Sequence, residues 1–133
     1  MAYPNDKMKK DWIQNGISNE AVEWAKSFGE YLTKKDVKDV LSTSQLRKFF
    51  GELRRIDSDF SHKKNDIIML KPMLAYAVGR DKKKTKTKEF GEEMSKGIDA
   101  IRLEDEVHAK NDFKNFLKIF EAIVAYHKFY GGE

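Results

Sequence analysis

Apolar residues recur along most of this chain at intervals of three and four, the spacing that lines one side of an α-helix. The clearest case is STSQLRKFFGELRRIDS, from Ser42 to Ser58. At 3.6 residues per turn, Leu46, Phe49, Phe50, Leu53 and Ile56 form one stripe, which Phe60 continues. Arg47, Lys48, Arg54 and Arg55 collect on the opposite side, with Gly51 between Arg47 and Arg54. Ser42 followed by Gln45 is a capping box, so the helix is expected to begin there. The polar run Ser61-His62-Lys63-Lys64-Asn65 predicts its end near Phe60.

The same spacing predicts the other elements. Ser18 can cap a helix carrying Ala21, Trp24, Ala25, Phe28 and Leu32, and Thr33 a short piece with Val37, Val40 and Leu41. Pro72 interrupts the apolar run IIMLKPMLAYAV, which predicts a kink or a fresh start near Lys71. A further helix carries Phe90, Met94, Ile98 and Ile101 and fades at Glu104-Asp105-Glu106. The last begins near Asn111 and uses Phe113, Phe116, Leu117, Phe120, Ile123, Val124 and Tyr126. It is apolar nearly all round, which suits a central position or one shared with another subunit, and it stops at Gly131-Gly132. No alternating strand pattern and no internal repeat is present. The expected fold is all-α, a compact bundle of about five to six helices. Residues 1–17 read as a polar tail with Trp12 and Ile13 as anchors that dock loosely, and residues 18–133 as one helical-bundle domain.

Composition narrows the function. The 133 residues suit a single domain, and two prolines with eight glycines leave room for long helices. Charged residues make up 36% of the chain, with a formal net charge of +4. That excess points to a polyanion only where it is concentrated. There is no cysteine, so disulfides and thiolate metal sites are excluded. The chain shows no apolar signal segment and no membrane-length apolar run, so the expected location is cytoplasmic, without a membrane.

Candidate chemistry is sparse. The basic side of the 42–58 helix fits guanidinium groups forked onto phosphate oxygens, with Gly51 admitting a backbone or ribose. It equally fits arginines paired with Asp57, Asp59 or other acids, with Gly51 allowing close helix packing. Arg80, Lys82, Lys83, Lys84, Lys86 and Lys88 fall within nine residues. Such a run is expected to be solvated and mobile, or to lie as an arm over a nucleic acid. Arg55 with His62, and Arg102 with His108, match the loose Arg-x(4–6)-His pattern of HEPN-type ribonucleases. With five arginines and three histidines in the chain, that short pattern carries little weight. His127, on the apolar last helix, reads as a hydrogen-bonded packing residue. No metal-ligand spacing, phosphate-cradling loop or nucleophile elbow is present, so no catalytic residue, metal or cofactor is expected.

Three segments in order, LSTSQLRKFFGELRRI (41–56), MLKPMLAYAVGR (69–80) and FEAIVAYHKFYGG (120–132), resemble the small subunit of the type III-A CRISPR effector, the Csm complex. The resemblance implies a compact, non-catalytic helical subunit whose copies stack along the crRNA backbone and line the groove taken by target RNA. Its implied partners are target RNA and the crRNA–target duplex, the crRNA backbone subunits and the large subunit. Self-association, as stacked copies or a homodimer, is also compatible with it. Residue by residue, Arg47, Lys48, Arg54 and Arg55 match the basic helix, and Lys71 and Arg80 the second block. Two alternatives stand beside it: a stand-alone helical nucleic-acid-binding protein, and a HEPN-like ribonuclease using Arg55/His62 or Arg102/His108.

Overall fold

The computed structural model describes residues 7–33, 43–80 and 85–131. Within them lie seven α-helices and a 3-10 turn, with no strand: α1 (Lys10–Gln14), α2 (Asn19–Thr33), α3 (Thr43–Ser58), α4 (Phe60–Lys63), the turn Lys64–Ile67, α5 (Leu70–Arg80), α6 (Thr85–Ala100) and α7 (Ala109–Phe129). The all-α bundle follows the apolar spacing. The count exceeds five to six because α1 and α4 are only five and four residues long.

Helix α7 is the axis, and α1, α2, α3 and α6 all pack on it. Phe113, Phe116, Phe120 and Ile123 are all completely buried along its length. Burying one such side chain is worth about 1.5–3 kcal/mol, so this row is one major contribution to the cohesion of the core. The helix ends where Gly131 turns to φ +94° and donates its N–H to the Lys128 carbonyl at 3.1 Å.

Local signals set the boundaries. Ser18 caps α2, its Oγ accepting the Ala21 N–H at 3.2 Å. Pro72 falls in the first turn of α5, where an N–H has no partner within the helix, so the helix starts afresh at Leu70 without loss. The polar break 61–65 coils into α4 and the 3-10 turn instead of opening into an extended loop. Ser42 of the capping box and the helical piece expected over Val37–Leu41 lie outside the described residues.

Residues 7–17 of the N-terminal stretch are bound more firmly than loose docking. Trp12 and Ile13 are buried within α1, and Met8 just before it is buried as well. Trp12 packs at a tilt against Trp24, with ring centroids 5.5 Å apart and planes at 44°. A five-residue helix has almost no internal hydrogen bonds, and other elements supply them. Asn115 Nδ2 donates to the Ile13 carbonyl at 2.9 Å, Gln14 Nε2 to the Ala100 carbonyl at 2.8 Å, and the Met8 N–H to buried Glu93 at 2.7 Å.

The lysine run also departs from expectation at one position. Lys86 is 1% exposed, its Nζ lying 5.0 Å from the Tyr31 ring centroid. It falls in the first turn of α6, where the ring provides a cation–π partner and the Tyr31 hydroxyl donates to Glu89 at 2.6 Å. Lys88, two residues on, is exposed as expected, and residues 81–84 lie outside the described ones.

Candidate nucleic-acid interface

Aromatic packing fixes which way α3 faces. Phe49 meets Phe120 of α7 and Phe90 of α6 at centroid distances of 5.2 and 5.7 Å, and Phe50 meets Phe120 at 5.7 Å. With Leu46, Leu53 and Ile56 buried beside them, the helix cannot rotate without lifting that stripe from the core. Its other side therefore faces outward: Ser44, Arg47, Lys48, Gly51, Arg54, Arg55 and Ser58 are all exposed.

The six basic residues named from the sequence separate into two sets. Arg47, Lys48, Arg54 and Arg80 form no ion pair among the described residues. Arg54 rests its guanidinium 5.4 Å from the Phe50 ring centroid, which steadies it while leaving its charge uncompensated. Arg55 and Lys71 are engaged. Arg55 Nη2 donates to Glu52 Oε2 and Asp66 Oδ2, both at 3.0 Å, and the bond to Glu52, then that to Asp66, raises its pKa. Lys71 Nζ meets Asp99 Oδ1 at 2.6 Å. The acids suggested as arginine partners serve others: Asp57 pairs with Lys114, and Asp59 with His62 and Lys63.

Among the described residues Gly51 has nothing within 4 Å of where a Cβ would stand, so it serves no helix packing among them. Lys48 and Arg80, far apart in sequence, line the same apolar groove between α3 and α5. Arg47 shares a shallow depression with Thr43, Ser44 and Lys128. Lys128 was invisible to sequence reasoning because only the fold carries the end of α7 to the start of α3.

The histidines are engaged separately. His62 Nδ1 lies 2.9 Å from Asp59 Oδ1, and His108 Nδ1 2.6 Å from Asp105 Oδ2. Each hydrogen bond is the main cause holding its aspartate below the ordinary carboxyl value of 3.8. Arg102 is bound to Asp112. Each member of the two Arg/His pairs thus bonds to a different carboxylate. His127 is buried at 1% exposure, as a packing residue should be. Among the described residues no group of histidines and carboxylates could hold a metal ion, and no helix is long and apolar enough to cross a membrane.

The bundle and its outward cationic helix define a small all-α protein with a basic face held rigidly on an aromatic core. Residues 17–133 match the family model Csm2 Type III-A, and the chain belongs to that family. It is therefore a small subunit of the type III-A CRISPR effector, a member of the Csm complex with crRNA and other subunits. No curated protein and no solved structure matches.

Proposed function

We propose that this subunit holds target RNA, without choice of sequence, against the exposed side of α3, and that it cleaves nothing itself. The observation that carries this is the set Arg47, Lys48 and Arg54, side by side on a helix locked to the core and free of ion pairs among the described residues. Arg80 extends the set across the groove. A guide-directed complex meets a different target with each guide, so a subunit serving all of them must contact phosphate and ribose, not base identity. Cations on a rigid helix do this. Copies stacked along the crRNA backbone gain affinity by effective concentration, so each contributes only weak contacts. Arg55 and Lys71 have carboxylate partners to leave first and act secondarily.

The test is binding of labelled single-stranded RNA across a salt series. About four neutralised phosphates give a slope of log K against log salt near −3. Reversing Arg47 and Arg54 to glutamate should abolish binding while the helical CD signal persists. Unchanged affinity would reassign the face to solvation alone. The purified chain should leave the RNA intact; metal-independent cleavage lost in His62→Ala or His108→Ala would overturn the non-catalytic part.

A further inference from the structure

The groove flanked by Lys48 and Arg80 is not required by a phosphate-binding surface. It exists because α3 packs on α7 and α5 on α6, leaving a cleft between the two pairs. Its cavity volume is about 80 Å³, below that of whole-ligand sites and enough for the edge of a flat ring, and its lining is mostly apolar. Phe49, Leu74 and Phe90 form the buried part, and Tyr76 stands at the rim, 70% exposed. Thr87 also lines it, 3% exposed, with a hydroxyl that has no hydrogen-bond partner among the described residues. A buried hydroxyl left unpaired is a standing cost that native proteins seldom tolerate without a reason.

We propose that one unstacked nucleobase of the bound RNA lies on Tyr76 with its edge seated in this groove, the sugar-phosphate chain passing over Lys48 and Arg80. The inference rests on the RNA-binding role of the α3 face and deepens it. A base has the required mixed character: a flat π-face to lie on Tyr76, a thin edge for the groove, and polar atoms on that edge able to partner Thr87. The two cations at the sides match the phosphates that must accompany it. A lipid chain or aliphatic side chain would use neither the cations nor the hydroxyl. Every base offers a π-face, so the pocket adds affinity while leaving sequence choice low.

The test uses the full chain and two single strands of about ten nucleotides, a length suited to one site. One strand is wholly abasic; the other carries 2-aminopurine as its only base, at the centre. The base-bearing strand should bind about fivefold or more tighter, with its fluorescence quenched. Tyr76→Ala should remove that advantage and the quenching, and leave the abasic strand unaffected. Thr87→Val keeps the shape and deletes the lone hydroxyl, so it should raise the melting temperature while weakening only the base-bearing strand. Equal affinity for both strands would overturn the base pocket and leave the phosphate-binding face standing. Failure of both strands to bind would overturn the face and the pocket together. Tyr76→Ala blocking assembly of the effector complex, with both strands bound as before, would hand the groove to a neighbouring protein subunit and overturn the inference.

Discussion

Arg102 grips Asp112 with two prongs: Nε donates to Oδ2 and Nη2 to Oδ1, each at 2.9 Å, while the Arg102 N–H donates to Oδ2 at 3.0 Å. Asp112 is completely buried in the first turn of α7, where a negative charge also suits the helix dipole. Arg102 Nη2 reaches the Gln14 carbonyl at 3.3 Å as well. One ion pair thus ties together the end of α1, the loop after α6 and the start of α7. Asp112→Ala should lower the melting temperature by roughly 5–15 °C, read by thermal CD. A drop under about 2 °C would place the pair with ordinary surface salt bridges.

Gly51 and Gly29 should respond oppositely to alanine. At Gly51 the new methyl meets none of the described residues within 4 Å, so the helix propensity gain, about 0.5–1 kcal/mol, should appear as added stability in urea unfolding. If RNA runs close over that backbone, the same variant should bind RNA less well. Unaltered affinity would remove the RNA-approach explanation for this glycine.

At Gly29, the methyl would sit 3.0 Å from both the His127 nitrogen and the Ile123 oxygen. These are backbone atoms of α7 and cannot move aside as a flexible side chain would. Gly29→Ala should therefore cost about 1–3 kcal/mol by separating α2 from α7. Wild-type stability would show that the two helices adjust more freely than their packing suggests.

The aspartates beside His62 and His108 predict a small acid-limb effect. In each, the folded carboxyl titrates below its ordinary 3.8, chiefly through the histidine hydrogen bond; Lys63 reinforces Asp59, and the His108 and Val107 backbone N–H groups reinforce Asp105. A lowered folded pKa contributes stability above the ordinary value, lost as pH falls through the lowered one. The loss should begin below about pH 4 and be modest, because both sites are exposed and screened by salt. Carbon-13 titration of the two carboxyls is the measurement. His62→Ala should return Asp59 toward its ordinary value, and His108→Ala should do so in part for Asp105. No change would show that the rings do not hold them down.

Features that depend on local spacing were legible in the sequence. The stripes Ala21–Trp24–Phe28–Leu32, Leu46–Phe49–Leu53–Ile56 and Phe90–Met94–Ile98 are buried as their periods require. So was the outward position of Arg47, Lys48 and Arg54, since a helix that buries one stripe must expose the other. Features depending on residues brought from afar were not. Lys86 is buried because Tyr31 waits for it on another helix. Lys71 is paired by Asp99, far along the chain, and Arg55 adds Asp66 from beyond its helix to Glu52, three residues back on it. α1 is too short for any period to announce it, and its stability comes from Asn115, Gln14 and Arg102 side chains. The groove joining Lys48 to Arg80 is a product of packing alone.

The docking of α2 on α7 sets an order of events during synthesis. Helix α2, carrying Trp24, Phe28 and Leu32, is made before its main partner α7, with α3 to α6 in between. Until α7 arrives, those aromatics have no finished surface to bury against, and α1 lacks the side chains that satisfy its backbone. Helical proteins usually fold fast because their contacts are local. Here the decisive contact joins helices far apart in the sequence, so the bundle should close only once α7 has been made, and the nascent α2 should depend on chaperones for protection from aggregation until then.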